Sequence, residues 1–417
     1  MGVGFFTAKD FKIANPASLT SGCGRCRLFK ECLTPKMKPF GECGKGLMIL
    51  GEAPGANEDA KGIPFIGKSG RLLNDVLKDC GIDVKRDAVK LNAVSCRPPK
   101  NRTPSQTEID SCRSRVWKYI EEYKPKVILP LGMVALQCLL SHRWFDEDGL
   151  GAMQRWRGFA APDKELECWV CPTFHPAYIL RMEKEPVYEK VFFKDIKNAV
   201  RHLDIPLPKY ENVEDNVRVL VKEDDVCARL TRIRKNKPVV VFDYETTGLK
   251  PFNEAQSIVY IGIADSLSSA FCFPAEAMPN AVRLWGEICA DPEIPKIAHH
   301  ISFEDLWTRE KLKVQVQNWM MCTMETAHVL DQRKGVCGLK FQAYVKTGVT
   351  DYSSGISPYL KPTAGSKKWL GDNAVNNIRQ APPKEVMKYC GLDCLNTYAL
   401  AVEQCRELKE DMEWVRK

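Results

Sequence analysis

The amino-acid sequence predicts an α/β protein built from two domains. Short apolar runs that read as buried strands alternate with amphipathic helices in both halves of the chain, which is typical of α/β sheets. The chain has 417 residues, more than a single hydrophobic core usually serves. A proline-containing acidic stretch interrupts the alternation near the middle, so we expect a linker at residues 205–214.

In the first half, a helix is expected to start near Ser69. The next helix has a legible beginning, with Thr103 as N-cap, Pro104 at the first helical position and Gln106 placed to complete a capping box. Apolar runs between turn signals predict the buried strands of this half. These strands are expected at residues 47–50, 89–94, 127–131 and 169–174.

The second half repeats the alternation. Strands are expected at residues 217–221 and 239–242, the second of them introduced by Pro238. The chain is therefore divided into an N-terminal extension, a first domain, the linker and a second domain. Their predicted limits are 1–22, 23–204, 205–214 and 215–417.

Composition places the chain among ordinary globular proteins. Hydrophobic residues make up 44% and charged residues 27%, which excludes a disordered, collagenous or coiled-coil chain. Lys and Arg number 61 against 53 Asp and Glu, so the net charge of +8 is compatible with nucleic acid as a partner but does not establish it. No run reaches the ~18 apolar residues of a membrane helix, and no signal peptide is visible. We therefore expect no membrane association and a cytoplasmic location.

Cysteine spacing suggests a metal site in the first half. In a reducing compartment, the 18 cysteines are better explained as metal ligands and small buried side chains than as disulfides. Cys23-x2-Cys26 supplies two thiolates on one turn, and Cys96 and Cys112 are candidates for the third and fourth. Four such soft ligands suit an iron–sulfur cluster or zinc.

Two alternative ligand sets remain open from spacing alone. Cys32 and Cys43 could close a local four-cysteine zinc site with the first pair, and spacing favours this arrangement. Cys168-x2-Cys171 could instead join the first pair.

A series of motifs in the first half, taken in order, resembles the family 4 uracil-DNA glycosylases over roughly residues 20–203. The resemblance implies an α/β/α sandwich with a [4Fe–4S] cluster on Cys23, Cys26, Cys96 and Cys112. The motifs are Gly51-Glu52-Ala53-Pro54-Gly55, Glu58-Asp59, Pro64-Phe65-Ile66-Gly67, Asn92, Cys96-Arg97-Pro98-Pro99, Asn101-Arg102, Cys112 and His175-Pro176-Ala177-Tyr178.

The chemistry of uracil excision suits these residue types. The enzyme must extrude a nucleotide and stabilise the uracil anion as it leaves the sugar. Phe65 can stack on the base, and the amide of Asn92 can read one pyrimidine edge. His175 can donate a hydrogen bond to the developing negative oxygen, and Glu58 is the candidate to orient or activate water. Glu52 and Ala53 are expected to line the same uracil pocket.

Two further features of this half concern DNA and phosphate. By the family pattern, residues 178–181 lie near the DNA, with Leu180 or Ile179 as the candidate wedge into the vacated base stack. Gly62-x4-Gly67-Lys68-Ser69 satisfies the P-loop expression, but no buried strand leads directly into it, so we reject ATP binding.

Carboxylates in the second half are spaced for two metal ions. Asp243 and Glu245 stand at i and i+2 at a strand end, so they share one face of the sheet. His300 with Glu304, and Tyr389 with Asp393, are pairs four residues apart that would each share a helical face. Two divalent ions held ~3.5–4 Å apart by such acids can drive phosphodiester hydrolysis. An all-oxygen shell suits Mg²⁺ or Mn²⁺.

This half, roughly 215–417, resembles the tyrosine subtype of the DEDD 3′–5′ exonucleases, a ribonuclease H-like fold found as the proofreading domain of DNA polymerase I. The resemblance implies Asp243, Glu245 and Asp393 as metal ligands and Tyr389 as the residue that orients the attacking water. The middle motif departs from the family's Asn-x3-Asp, because His300 and Glu304 stand there. Glu304 is the predicted fourth ligand.

We interpret the chain as a bifunctional enzyme of phage-type DNA replication or repair, which excises uracil and removes 3′-terminal nucleotides. The two-domain order resembles the front of a phage-type polymerase of the polymerase I class. That resemblance implies DNA and a DNA polymerase domain or subunit as partners, and the host cytoplasm as location for a phage-encoded protein. The alternative is a uracil-binding module without glycosylase activity, attached to a proofreading exonuclease that serves a separate polymerase. The basic run 229–237 is interpreted as a solvated helix face.

Overall fold

The computed structural model describes residues 22–144, 149–208, 213–350 and 352–409. Residues 1–21 of the predicted extension and 209–212 of the predicted linker lie outside that part. The chain separates into two compact units, Met1–Lys209 and Tyr210–Lys417. Each contains a sheet with accompanying helices, so the predicted two-domain α/β class is confirmed. Among the described helices, none is long and apolar enough to span a bilayer.

A mixed five-stranded sheet forms the centre of the first unit. Its strands are β1 (Leu47–Gly51), β2 (Ala88–Asn92), β3 (Val127–Pro130), β4 (Ala161–Asp163) and β5 (Cys168–Val170). They lie in the order β2-β1-β3-β5-β4, with β4 antiparallel to β5 and the other pairs parallel. Because β1, β2 and β3 are parallel, the loops that follow them meet at one edge of the sheet, where ligand sites of α/β proteins usually form.

Helices surround this sheet in the described residues. Short 3₁₀ turns occur at Leu28–Lys30, Pro99–Asn101 and His202–Asp204. The α-helices are α1 (Cys23–Cys26), α2 (Ala56–Lys61), α3 (Lys68–Asp79), α4 (Gln106–Tyr123), α5 (Met133–Leu140), α6 (Met153–Trp156), α7 (Pro176–Arg181) and α8 (Pro186–Arg201).

The start of α4 differs from the prediction. Ser105 is the N-cap and Glu108 completes the capping box, so the assignment to Thr103 and Gln106 is wrong by two residues. Glu108 Oε2 accepts a hydrogen bond from Ser105 N at 2.8 Å, and Ser105 Oγ accepts one from Glu108 N. A glutamate at the third helical position satisfies the cap more strongly than a glutamine, because its charge also favours the helix N-terminus.

A six-stranded sheet forms the centre of the second unit. Its strands are β6 (Val217–Val219), β7 (Val240–Thr246), β8 (Ile258–Ser266), β9 (Ser269–Pro274), β10 (Lys296–Ala298) and β11 (Trp319–Cys322). The order is β11-β10-β7-β8-β9-β6, with an antiparallel β7-β8-β9 meander and parallel strands on both sides of it. β7 runs four residues further than predicted, so both acids of the Asp-x-Glu motif lie within the strand.

Helices of the second unit cover this sheet in the described residues. The C-terminal helix buries Cys394, Leu395 and Tyr398 against Val241 of β7 and Ile297 of β10. A π-helical turn, Thr308–Leu312, and four 3₁₀ turns, Val213–Asn216, Ser357–Tyr359, Gly371–Asn373 and Ile378–Gln380, are also present. The α-helices are α9 (Glu223–Asn236), α10 (Pro279–Ala290), α11 (Ile301–Trp307), α12 (Thr323–Leu330), α13 (Leu339–Thr347), α14 (Ala364–Leu370) and α15 (Pro383–Leu408).

Candidate functional site

Four cysteines line one small cavity in the first unit. Cys23 and Cys26 come from α1, Cys96 follows β2, and Cys112 lies on α4. The backbone N–H of Lys36 donates to Cys96 Sγ at 3.2 Å. The fold therefore brings the predicted ligand set together from three separate stretches of the chain.

The alternative ligand sets do not line this cavity. Cys43 Sγ donates to the carbonyl oxygen of Leu47, and Cys168 and Cys171 are buried in and next to β5. Cys32 lies within hydrogen-bonding distance of Cys96 but outside the cavity wall. The fold thus does not bring Cys43 to the other three cysteines of the local set, because its thiol faces the start of β1.

Burial favours the protonated form of two of the thiols in this cavity. Desolvation raises the pKa of Cys96 to about 12 and that of Cys112 to about 11. Thiolates bind metals, so metal binding at this site must release these protons.

The second feature of this unit is a pair of side chains that meet at the carboxyl ends of β1 and β2. A Cβ placed on Gly51 would lie 2.4 Å from Asn92 Oδ1 and 2.5 Å from Phe65 Cζ, so these two side chains meet over a glycine. Phe65 has φ of +60°, which is a strained conformation for a bulky residue and is typical of functional loops. Its backbone rests on Gly70 of α3, where any side chain would collide with the Phe65 carbonyl.

The His175 ring is fixed as one tautomer at the start of α7. Its Nδ1 accepts a hydrogen bond from Ala177 N at 3.1 Å, so the proton of the neutral ring is on Nε2. Burial lowers the pKa of His175 to about 4, with the positive charge of Arg181 acting in the same direction and Glu58 opposing it. The ring is therefore a neutral hydrogen-bond donor at physiological pH.

A buried network supports the segment that carries His175. Thr173 Oγ1 donates to Asp195 Oδ2 at 2.8 Å, and the Arg157 guanidinium binds both oxygens of the same carboxylate at 2.8 and 2.9 Å. A bidentate arginine–carboxylate pair fixes orientation as well as position. The loop between β5 and α7 is thereby held on α8.

The Glu58 carboxylate is partly engaged by the neighbouring loop. Its Oε1 accepts hydrogen bonds from Gly67 N at 2.7 Å and Ile66 N at 3.2 Å, which leaves Oε2 as the oxygen for other contacts. These amides are therefore not available to a phosphate, in agreement with our rejection of a P-loop. Glu52 and Ala53 are half-buried in the turn after β1, and burial raises the pKa of Glu52.

The two wedge candidates differ in exposure. Leu180 is 38% exposed, whereas Ile179 is 5% exposed and belongs to the core. Of the two candidates, Leu180 is therefore the one whose side chain is accessible at the surface.

In the second unit, four acids approach one another at the junction of β7, α11 and α15. Asp243 and Glu245 come from β7, Glu304 from α11 and Asp393 from α15. Burial raises the pKa of each, and the negative charges of the other acids raise those of Asp243 and Glu245 further. Such repulsion is relieved when a cation binds between the carboxylates.

The middle acid points into this group. Glu304 is 3% exposed, and its Oε2 has no hydrogen-bond partner. The adjacent Asp305 is engaged elsewhere, because it accepts a hydrogen bond from Trp319 Nε1 at 3.1 Å. His300 is the N-cap of α11 and stacks on Phe303, so our expectation that it shares a helical face with Glu304 is wrong.

Two residues of this site were not found by sequence reasoning. Cys390 Sγ lies 3.9 Å from Asp243 Oδ2, and with Asp243 and Glu245 it offers three possible ligand atoms within 4.8 Å of one another. Tyr352 Oη donates to Asp393 Oδ1 at 2.5 Å and its ring stacks on Tyr389. Cys390 follows Tyr389 directly and could have been noticed, whereas nothing in the sequence links Tyr352 to Asp393.

The basic run 229–237 is largely paired with acids. Arg229 lies 3.3 Å from Asp265, Arg234 Nη1 lies 2.6 Å from Glu287, and Lys237 pairs with Glu293. These contacts support its interpretation as an ordinary helix face rather than a DNA track.

Comparison with known proteins defines the class of each unit. Residues 39–197 match the Uracil DNA glycosylase superfamily and residues 219–409 match a 3′–5′ exonuclease family. The type-4 uracil-DNA glycosylase of Pyrobaculum aerophilum is 34% identical over 178 residues, which are 43% of this chain and 88% of that protein. The enzyme of the same name from Thermotoga maritima is 34% identical over 154 residues, 37% of this chain and 75% of that protein. The chain belongs, by its first unit, to the type-4 uracil-DNA glycosylase family.

A relative that extends over both units is a DNA polymerase of Bacillus phage SP01. It is 24% identical over 420 residues, which cover 92% of this chain and 42% of that protein. Among solved structures, NrnC of Brucella melitensis with bound Mg²⁺ is 18% identical, covers 46% of this chain and 82% of its own, and gives a TM-score of 0.34. The catalytic core of RRP6 from Trypanosoma brucei is 15% identical, covers 50% and 51%, and gives 0.38. The sequence matches confirm both family resemblances and the order of the two domains.

Proposed function

We propose that the protein is a bifunctional DNA hydrolase. Its first unit hydrolyses the N-glycosidic bond of uracil in DNA, and its second unit removes nucleotides from a 3′ end. The observation that carries the proposal is convergence in each half: Phe65 and Asn92 meet over Gly51, and the four acids around Asp243 interact as one buried group. The partner is DNA, and the match to a phage polymerase supports work alongside a DNA polymerase.

Uracil recognition is assigned to the pocket over Gly51. The Phe65 ring would stack on the extruded base, and the Asn92 amide would offer one donor and one acceptor to the pyrimidine edge. Glu52 and Ala53 would form the adjacent wall. A glycine at position 51 lets Asn92 and Phe65 approach each other, because a Cβ there would occupy the space where these two side chains meet.

Bond cleavage is assigned to His175 with help from Glu58. As the bond between the base and the sugar breaks, its electron pair leaves with uracil and negative charge grows on a carbonyl oxygen. A neutral His175 Nε2–H can donate to that oxygen, and Ala177 N keeps Nδ1 from carrying the proton instead. Water then adds to the sugar carbon, and Glu58 Oε2 is the oxygen that remains to orient it.

We propose that Cys23, Cys26, Cys96 and Cys112 hold a [4Fe–4S] cluster. A tetrahedral zinc site needs its sulfurs about 3.8 Å apart, given a Zn–S bond of about 2.3 Å. Among the described residues, three possible ligand atoms lie within 4.8 Å of one another at Asp243, Glu245 and Cys390, and the four cysteines form no such group. The sulfurs of the four cysteines therefore stand further apart than zinc requires. A bound cluster would supply a cross-link between α1, the loop after β2 and α4.

We propose that Asp243, Glu245, Glu304 and Asp393 hold two divalent cations, Mg²⁺ or Mn²⁺. The unpartnered Oε2 of Glu304 and the mutual repulsion of the acids fit such ions. When bound, they would activate water and stabilise the leaving 3′ oxygen. Tyr389 would orient the water, and Tyr352 would hold the Asp393 carboxylate in place through Oδ1.

The experiment is an oligonucleotide assay with and without chelator. A single-stranded DNA carrying one uracil should become alkali-labile in EDTA, whereas the same DNA with thymine should not. Shortening from the 3′ end should require Mg²⁺ or Mn²⁺. If the protein binds the uracil-containing strand but gives no alkali-labile product, the result would instead support the alternative of a binding module in the first unit.

A further inference from the structure

An exposed surface of the second unit combines a bare aromatic ring with unpaired lysines. Trp369 on α14 is 83% exposed. Lys367 and Lys368 precede it, and Lys368 Nζ lies 5.9 Å from the indole centre. Within the described part of the chain, no acid forms an ion pair with either lysine. We call Lys367, Lys368 and Trp369 the Trp369 surface.

The segment that follows this surface is attached to the strand that carries two of the acids. Asn376 Nδ2 donates to the carbonyl oxygen of Thr246 at 2.9 Å, and Asn376 N donates to that of Thr247 at 2.8 Å. Thr246 is the residue after Glu245 on β7. The segment that follows α14 is therefore attached to the end of the strand that carries two of the acids.

A second aromatic ring stands on the neighbouring loop. Phe252 is 66% exposed, and the next residue, Asn253, donates through Nδ2 to the carbonyl oxygen of Asn373 at 3.3 Å. Gln256, buried at the base of this loop, donates to the carbonyl oxygen of Asp372. The loop after β7, which presents Phe252, and the turn after α14, which follows Trp369, thus hold each other.

We propose that the Trp369 surface binds the single-stranded 3′-terminal stretch of DNA on its way to the acidic site. This inference rests on the proposed exonuclease function of the second unit. The indole gives a base a face to stack on, and the two lysines offer positive charge to successive phosphates. Paired stacking and charge are what sequence-independent single-strand binding requires.

The charge of the surface favours DNA over a protein partner. Lysine is depleted in the buried centre of protein interfaces, yet here two lysines directly precede the tryptophan. In EDTA, with no divalent cation between them, the acids around Asp243 repel phosphates, so an approaching strand needs a cationic contact nearby. Lys367 and Lys368 supply that contact.

The test measures binding without cleavage. The full-length protein in EDTA is titrated against a fluorescent uracil-free duplex with a 3′ overhang, and anisotropy gives the Kd. Trp369→Ala should weaken binding about 5- to 150-fold, the range for losing one base-stacking contact, while Trp369→Phe should retain most of the affinity. The double change Lys367→Ala with Lys368→Ala should reduce the salt slope by about 1.4, since each single-strand phosphate contact contributes about 0.7.

Matched controls separate this effect from general loss of exposed groups. Val329 is 70% exposed on α12, and Arg232 and Lys235 are exposed cations on α9. Val329→Ala and the double change Arg232→Ala with Lys235→Ala should bind the overhang like the wild type. Equal affinity of the Trp369→Ala variant and wild type, or equal weakening by the controls, would overturn the inference.

The outcome is distinguishable from failure of the proposed exonuclease activity. If the wild-type protein binds the overhang through Trp369 but never shortens it with Mg²⁺, the proposed exonuclease activity is contradicted and the proposed role of the Trp369 surface is supported. If the Trp369→Ala variant shortens 3′ ends with the same KM as the wild type, the proposed role of the Trp369 surface is contradicted and the exonuclease activity is supported.

Discussion

The chemistry of the His175 side chain is set by one hydrogen bond and by burial. Ala177 N occupies its Nδ1, and burial keeps the ring neutral, so the ring can act only as a donor through Nε2. Replacing His175 by Ala should lower uracil excision about 10²- to 10³-fold, the loss typical of one donor to a developing oxyanion. Single-turnover assays with alkali cleavage measure this, and 3′ shortening by the same variant should be unchanged.

The pH dependence of excision follows from the same ring. The pKa of His175 in the folded protein is about 4, and its usual value is 6.5. The neutral donor therefore persists as pH falls through 6.5, and the rate should decline only as pH approaches 4. Folding stability changes with pH in the same direction as the rate. The contribution of the neutral ring to stability is fully present above pH 6.5 and is lost as pH falls towards 4. A rate that halves near pH 6.5 because of His175 would contradict this description, and the His175→Gln variant identifies any inflection that belongs to another group.

Asp243 is expected to reduce the stability of the metal-free protein. Burial and the charges of Glu304 and Asp393 raise its pKa, so its ionised form is held at a cost. Asp243→Asn should raise the unfolding midpoint of the second unit in EDTA by about 2–4 °C, equivalent to about 1 kcal/mol. It should also abolish Mg²⁺-dependent shortening. Calorimetry in EDTA gives the midpoint; Glu254→Gln, an exposed carboxylate, is the control, and a lowered midpoint for Asp243→Asn would refute the repulsion.

Single residues were predictable where a motif carries them and unpredictable where the fold creates the contact. The cysteines at 23, 26, 96 and 112 were chosen by resemblance, and they line one cavity. Tyr352 lies 41 residues before Asp393, and only the path of the chain between α13 and α15 brings its hydroxyl to that carboxylate. Cys390 was missed because helical spacing of four residues selected Tyr389 and Asp393 and passed over the residue between them.

Among the elements, strand β1 depends on the absence of a side chain at its end. Gly51→Ala would place a Cβ 2.4 Å from Asn92 Oδ1 and 2.5 Å from Phe65 Cζ. We expect uracil excision to fall at least tenfold, because Phe65 and Asn92 must move apart. The measured rate of 3′ shortening should stay at the wild-type value.

A substitution in strand β8 should have the opposite effect on the two activities. A Cβ on Gly262 would lie 2.6 Å from Cys390 Sγ and 3.0 Å from the Cys390 carbonyl oxygen, so Gly262→Ala should push α15 away from β8. Metal-dependent shortening should fall while excision persists. Gly338→Ala, where a Cβ meets nothing within 4 Å, is the control and should leave both rates intact. Loss of excision in the Gly262→Ala variant would show that the units do not act independently.

Elements were predicted more reliably than their limits. The strand expected at 47–50 ends one residue later, and the run at 169–174 forms a strand only as far as Val170. At α4, two candidate capping boxes lie two residues apart, and the glutamate at 108 decides between them because its carboxylate also pairs with Arg102 at 2.7 Å. Such choices depend on side-chain partners that apolar periodicity does not describe.

At the scale of the whole molecule, each compact unit carries its own set of reactive groups. Phe65, Asn92 and His175 belong to the first unit, and the acids belong to the second. The molecule should therefore lose either activity alone when one set is changed.

The most direct measurement follows both reactions on one substrate. A 5′-labelled single strand with an internal uracil is incubated with Mg²⁺ and wild-type protein, the His175→Ala variant or the Asp243→Asn variant, and products are resolved before and after alkali. We expect the first variant to shorten the 3′ end without alkali-labile product and the second to give alkali-labile product at full length. Loss of both products in either variant would contradict two independent sites, provided that the unit without the substitution unfolds in EDTA at the wild-type temperature.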